Sequence, residues 1–469
     1  MSGAEAEPVD LPKPARKAGL LEKFHIVRGH LGADTGVFVT AQYVGEGRLD
    51  KHTLYPALTL LLQQHRALST QVHDAGTEQP FYVSLKIVDL SRIVRFYDAD
   101  SKQLSEVAES YLLDQIEYAT DTPLWRLGVF PDNRVIIHYD HSIGDGQSGL
   151  AFHRSLLTAL NSTSPSQDEP SSVVPIPESL ELQPTVEKAT DVSLSFFKIC
   201  QEIFNAFAPI RWRKAGSSWT GEEVTRQETM FTSTRLWSLP PEQADSLLKI
   251  CRLHECTITS FLHTATVMVF STLLRDSPKR YKYLASDIPI SLRRFTKAPA
   301  DVFCDHVSAG YFFSPITRYP PELVDDFEAL AKRFPWEDAA RTTSDLRKKV
   351  PKCRQEVGTL NLLFGRYQPF FRGKIGKKRH GTFELSNVGP FPFDKSDNEA
   401  GRKWKVGEMF FGQCDALLGA TIKLGAVGSQ DGSLGLCFNW ANGSIDDVLA
   451  QFFVDHFRSL VEAILKQAQ

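Results

Sequence analysis

The residues with the clearest chemical potential lie in one short stretch, His141-Ser142-Ile143-Gly144-Asp145-Gly146. A histidine there can present one ring nitrogen to a cavity and take up a proton near neutral pH, which is what a general base must do. Asp145 follows one turn later, where it can pin the local backbone through an ion pair without touching a substrate. Gly146 is expected to allow a backbone conformation closed to residues with a Cβ. The structural alternative is that His141 is a core histidine bonded to a turn, and the pattern alone leaves both open. His153, farther along, reads as a helix-face residue.

The flanking sequence says what must hold this stretch in place. Leu124 to Phe130 and Val135 to Tyr139, separated by an Asp132-Asn133 turn, form a hairpin pattern whose second strand runs into His141. A helix is expected from about Gln147 to Leu160. Upstream, Val37 to Tyr43 and Phe81 to Val88 are strand-like, and Leu54 to Leu62 and Ser105 to Glu117 have helical spacing. Asn161 to Pro184 is rich in Ser, Pro and acidic residues and reads as a linker. Val192 to Trp212 then carries a broad apolar stripe ending in Arg211, Arg213 and Lys214. Packing beneath a loop or across the two halves is the expectation for that segment, with a peripheral membrane-surface helix as the alternative.

The second half restarts at Thr232 to Leu239, with a helix after Pro240-Pro241-Glu242 and a longer one from Thr259 to Leu274. Strand-like pieces follow at Tyr281 to Ala285, Val307 to Phe313, Thr382 to Asn387, Ala416 to Leu424 and Leu434 to Asn439. A last helix is expected from Ile445 to Leu465. The fold class is α+β: a lobe over 1–160, a linker with an amphipathic helix over 161–230, and a second lobe over 231–469.

Composition removes several functions. The 469 residues, 42% hydrophobic, suffice for two cores. Fifty-three Lys and Arg against 56 Asp and Glu give a formal charge of -3, which argues against a nucleic acid partner. No run is apolar for long enough to span a membrane, and Met1 to Gly19 is polar, so a cytoplasmic chain is expected. The seven cysteines are scattered and read as reduced thiols. Cys251 and Cys256 lie near His254 and His263, but these spacings match no zinc pattern, and no metal is expected. Gly-x-Ser-x-Gly, Walker A and Rossmann fingerprints are missing.

Four segments together resemble a known group. They are Pro123 to Phe152 around the histidine motif, Thr257-Ile258-Thr259-Ser260-Phe261-Leu262-His263 within Leu239 to Leu274, Ile288-Pro289-Ile290-Ser291-Leu292-Arg293-Arg294, and Leu385-Ser386-Asn387-Val388-Gly389-Pro390. In this order they resemble the CoA-dependent acyltransferase superfamily, which includes chloramphenicol acetyltransferase, plant BAHD enzymes and peptide synthetase condensation domains. Within it, the chain is most similar to the fungal alcohol acetyltransferases.

The resemblance implies two chloramphenicol acetyltransferase-like lobes, each a mixed sheet with helices, joined by a linker around a central tunnel. His141 would take the proton of an acceptor hydroxyl as the oxygen attacks an acyl thioester, with no covalent acyl-enzyme. Asp145 would be structural and paired with Arg293, while Ser386 and Asn387 would help donate hydrogen bonds to donor or oxyanion. Acetyl-CoA or another acyl-CoA would be the co-substrate, with no permanently bound cofactor. The acceptor would be a small apolar alcohol or secondary metabolite, and the enzyme a monomer. Two departures matter: Asp140 stands where condensation domains carry a second histidine, and the Asp-Phe-Gly-Trp-Gly signature of BAHD enzymes is absent. The alternatives are a condensation-like or cyclase enzyme using the same histidine on a carrier-bound or intramolecular substrate, and a non-catalytic binding protein.

Overall fold

Apolar residues fill the expected hairpin so densely that Arg134–Tyr139 is buried along its whole length. A strand buried on both faces has to be central to its sheet. In the computed structural model, which describes residues 14–98, 101–209, 212–225, 230–275, 277, 281–392, 403–414 and 419–467, it is the middle strand of five. The order is Trp404–Cys414, Gly36–Gly45, Arg134–Tyr139, Trp125–Val129, Val94–Phe96. The helices Lys51–Leu62 and Gly146–Ser162 pack on one another, and Gly146–Ser162 also packs on the sheet; their apolar faces close a core around Trp125, Tyr139 and Phe152.

The second half builds a seven-stranded sheet. Its order is Ser218–Trp219, Tyr283–Ser291, Phe383–Pro390, Ile422–Gly428, Leu434–Ala441, Thr232–Leu239, and Val307–Pro315 pairs with Tyr283–Ser291. Tyr283–Ser291, Phe383–Pro390 and Ile422–Gly428 run parallel. The helices Ile258–Leu273 and Asp447–Gln467 pack together within the second core, which includes Phe261, Phe270, Phe438, Phe453 and Phe457. This is the expected mixed α/β architecture in two lobes.

Three features were not anticipated. Trp404–Cys414 leaves the second half and pairs antiparallel with Gly36–Gly45, becoming a strand of the first sheet. It lies so close to the second sheet that a Cβ added to Gly425 would sit 2.1 Å from the Phe411 carbonyl oxygen, and one added to Gly435 would sit 1.8 Å from that of Met409. An N-terminal helix, Leu20–His30, begins where the Glu22 carboxylate reaches back to accept from Gly19 N at 2.7 Å. The 161–184 segment is pinned to the first lobe. Arg66 donates to the carbonyls of Pro177, Glu178 and Leu180 at 2.6, 3.1 and 2.8 Å, and Val173–Pro175 pairs with Ile87–Asp89.

The amphipathic segment departs from the packing expectation. Its helix, Phe196–Phe207, has no buried residue. The expected strand over Ala416 to Leu424 begins at Ile422, and residues 415–418 fall outside the described part. No single helix among the described residues is long and apolar enough to cross a membrane.

Candidate active site

The strand Arg134–Tyr139 ends at Asp140, and this carboxylate shapes the turn that presents His141. Asp140 Oδ1 accepts from Ser142 N at 2.9 Å, and Oδ2 accepts from the Tyr118 hydroxyl at 2.8 Å. Tyr82 donates to the Ser142 carbonyl at 2.6 Å. With its turn fixed on both sides, the His141 side chain remains 14% exposed.

Asp145 caps the helix Gly146–Ser162. Its Oδ1 accepts from Ser148 N and Ser148 Oγ, both at 3.0 Å, and from Arg293 Nη2 at 2.8 Å. Oδ2 accepts from His306 N at 3.3 Å. Burial would push this carboxyl up, but the Arg293 charge and the hydrogen bonds outweigh it and hold the pKa below the usual carboxylate range. Arg293 also donates to the carbonyls of Pro299 and Val302 at 3.0 and 2.9 Å. The expected ion pair is therefore present, and it clamps the histidine turn to the second lobe.

Gly146 corrects its expected role. It is the first residue of a right-handed helix and has no unusual backbone angle. The need for glycine is steric: a Cβ would sit 2.6 Å from Val388 Cγ1 and 3.0 Å from the Phe411 ring. Here the second-lobe strand Phe383–Pro390 and the crossing strand Trp404–Cys414 both press on the start of the motif helix.

The structure adds a cluster that the sequence reading missed. The His141 ring stacks on His25 with centroids 3.8 Å apart and planes within 7°. His141 Nδ1 lies 3.9 Å from Asp305 Oδ1, and His25 Nε2 lies 3.3 Å from Asp305 Oδ2. Among the described residues none of these four atoms has another hydrogen-bond partner. Behind them, Arg28 Nη2 donates to His25 Nδ1 at 2.8 Å and to Asp34 Oδ2, while Asp34 Oδ1 accepts from Gly36 N at 2.9 Å.

Arginine has only donors, so His25 Nδ1 must accept and its proton must sit on Nε2, pointing at Asp305. That tautomer settles a second question. His25, His141 and Asp305 lie close enough together to hold a metal ion, but a ligating Nε2 must be free of its proton, and Arg28 forbids moving that proton to Nδ1. The residues do not fit a cation.

Burial lowers the pKa of His141, and the Arg28 charge acts in the same sense while Asp34 opposes it, so the imidazole is neutral at pH 7. Burial, followed by the charges of Asp145 and Glu22, pushes Asp305 well above the usual carboxylate range. This favours the neutral acid form, so Asp305 places no standing negative charge beside His141.

The remaining expected residues separate into two groups. Asn387 Nδ2 donates to Thr259 Oγ1 at 3.0 Å, and Asn387 lines a cleft of about 390 Å³ in the second lobe together with Thr257, Thr259, Arg294 and Arg347. Ser386 is nearly buried beside it. Among the described residues no hydrogen bond or ring contact joins Ser386 or Asn387 to His141; the link runs through Val388 against Gly146. His138 and His153 are core residues, bonded to the Thr35 carbonyl and to Tyr43 with the Val39 carbonyl, and burial lowers both to about 4. Of the rejected zinc set, His263 bonds Ser286 and His254 stacks on Trp336.

The nucleophile side chains nearby are occupied. Ser148 Oγ donates to Asp145 and receives hydrogen bonds from Arg293 and from Cys304 N. Burial raises the Cys304 thiol well above its ordinary value.

Comparison with known proteins covers almost the whole chain. The sequence model of the alcohol acetyltransferase family matches residues 17–462. The chain is 25% identical to the probable alcohol acetyltransferase crmB of Aspergillus fumigatus, over 92% of this chain and 95% of that one. It is 23% identical to the probable alcohol acetyltransferase FCK4 of Fusarium pseudograminearum, over 85% and 84%. Among solved structures, the TRI3 trichothecene 15-O-acetyltransferase of Fusarium sporotrichioides superposes with a TM-score of 0.69 at 12% identity, covering 98% of this chain and 100% of that one. The epimerization domain from the third module of tyrocidine synthetase B superposes at 0.56 and 14% identity, covering 99% of each chain.

Proposed function

The chain belongs to the alcohol acetyltransferase family and is an acyltransferase, and from that premise we propose that it moves an acyl group, acetyl foremost, from acyl-CoA to a hydroxyl of a small apolar alcohol or secondary metabolite. The observation that carries the reading is the state of His141. It is neutral, partly open, locked in its turn, and backed by a carboxyl on the Nδ1 side.

In this reading His141 Nδ1 carries its proton toward Asp305, which leaves the Nε2 lone pair as the base. The acceptor hydroxyl gives its proton to Nε2 as its oxygen attacks the thioester carbonyl carbon. The resulting tetrahedral intermediate collapses, the carbon–sulfur bond breaks, and the imidazolium returns the proton to the departing thiolate. The products are an ester and free CoA. Asp305 faces the imidazolium when it forms, and His25, with its tautomer set by Arg28, holds Asp305 from the other side. Asp145 and Arg293 act through the backbone that carries His141.

Direct transfer is favoured because Ser148 is fully engaged and Cys304 is held as a thiol. The cleft beside Asn387 suits the donor: Arg294 and Arg347 offer cationic groups for the phosphates of CoA, next to the N-terminus of the helix Ile258–Leu273. One Asn387 N–H is bonded to Thr259, and the other is available to donor or oxyanion.

The test is thiol release from acetyl-CoA in the presence of a panel of alcohols, with the ester identified by mass spectrometry. His141→Ala should lower turnover at least about 100-fold with an unchanged melting temperature. Near-wild-type turnover in that variant would end the assignment of His141 as the base.

A further inference from the structure

The helix Phe196–Phe207 is docked the wrong way round for an ordinary surface helix. At about 100° per residue, Phe196, Phe197, Cys200, Ile203, Phe204 and Phe207 share one arc of roughly 120°, with Lys198 and Glu202 opposite. An amphipathic helix on a soluble domain buries that apolar arc and shows its charges to water. Here the charged side is the one attached. Lys198 Nζ bonds both Glu356 oxygens, at 2.6 and 2.7 Å, and lies 2.9 Å from Glu202, while Ser195 N and Oγ both donate to Gln355 Oε1. The apolar side faces outward, with Phe197 84% and Phe207 83% exposed and Phe196, Ile203 and Phe204 each about half exposed or more.

We propose that this helix is a peripheral anchor that lies in the surface of an anionic lipid bilayer. Three observations select lipid over a protein surface. The outward arc carries no charged, hydroxyl or amide side chain, so it matches an isotropic apolar phase, whereas a specific protein interface carries a polar rim around its apolar centre. The helix backbone satisfies its own hydrogen bonds, and its C-terminal end is closed by Arg213 Nη1 on the Asn205 carbonyl. Immediately beyond, Trp212 is 66% exposed, an aromatic suited to headgroup depth, and the exposed Lys214, whose Nζ lies 5.3 Å from the Tyr283 ring centroid, adds a cation beside it.

The attachment is also of the right kind. A helix held by a salt bridge and side-chain hydrogen bonds on its polar face can bear on a membrane while the lobes stay in water. The proposal is independent of the catalytic reading, since no residue of the helix belongs to the histidine cluster.

The experiment is co-flotation of the full chain with vesicles. Wild-type protein should float with phosphatidylcholine/phosphatidylserine vesicles, more weakly with phosphatidylcholine alone, and less at high salt. The double variant Phe197→Glu/Phe207→Glu should lose bound protein by at least about 10-fold. Both side chains are exposed, so the variant should keep its melting temperature and its turnover on a water-soluble alcohol. Wild-type protein that stays with the soluble fraction, or a variant that floats as well as wild type, overturns the proposal. So does a wild-type dimer in sedimentation velocity that the double variant converts to monomer, because the face would then be covered by a second copy of the chain.

Discussion

Asp305 and His25 decide how His141 behaves more directly than Asp145 does. Asp145 is separated from the reacting nitrogen by its own turn, whereas Asp305 faces Nδ1 and His25 covers one face of the ring. Because burial lowers the His141 pKa below its ordinary 6.5, and the proposed base acts only as the unprotonated ring, the acid limb of kcat/KM should lie below pH 6.5. Asp305→Asn removes the carboxyl that faces Nδ1 and can give up its proton to become the counter-ion of the imidazolium formed during transfer. It should slow turnover at least about 10-fold while KM and the melting temperature stay near wild type. A purely structural carboxyl would change stability and leave kcat where it is, so kcat, KM and melting temperature of the variant separate the two. The sequence made half of this site legible. His141, Asp145 and Arg293 are found because one motif fixes two of them and the family resemblance supplies the third. His25 and Asp305 escaped because their partnership is made by stacking and burial between segments distant in the chain. The one available signal was an acidic residue, Asp305, set beside Phe303 and Cys304 in an apolar stretch.

At the scale of elements, the contact between the motif helix and the second lobe is set by a missing side chain. Gly146 lets Val388 and Phe411 reach the helix start, and the neighbouring Gln147 accepts from Ser291 Oγ at 2.8 Å. Gly146→Ala should therefore force these elements apart and cost about 1–3 kcal/mol, the usual range for overpacking. The melting temperature should fall, and turnover should fall with it as the His141 turn shifts. Val388→Ala clears the closest clash, so adding it should recover part of the loss; a double-mutant cycle with no coupling would show that the contact does not matter. Most elements could be read from periodicity, because their buried faces are regular. Phe383–Pro390 and Ile258–Leu273 appear within a few residues of where their patterns put them. Trp404–Cys414 was missed because Lys405, Gly407 and Glu408 interrupt its apolar run. Phe196–Phe207 was recognised as a helix but its orientation was not, since a hydrophobic stripe says which residues avoid water and not what will cover them.

The crossing strand makes the two lobes one folding problem. Trp404–Cys414 pairs with Gly36–Gly45 across nine residue partners, and its other side lies against Gly425 and Gly435 of the second sheet. Without it, Gly36–Gly45 becomes an exposed edge made of GVFVTAQYVG, a β-prone run of the kind that pairs with other chains. The buried Asp145–Arg293 pair fails at the same time, because each half would keep one buried charge without its counter-ion. Residues 1–230 expressed alone should thus be inactive and aggregate, despite containing His141, Asp145 and His25. Residues 231–469 alone should also be inactive, since they hold Asp305 without either histidine of the cluster. Co-expression of the two fragments should restore soluble, active protein, as the cut lies outside every strand pairing of either sheet. A soluble, folded 1–230 fragment by circular dichroism and analytical gel filtration would show that the first sheet closes without its borrowed strand.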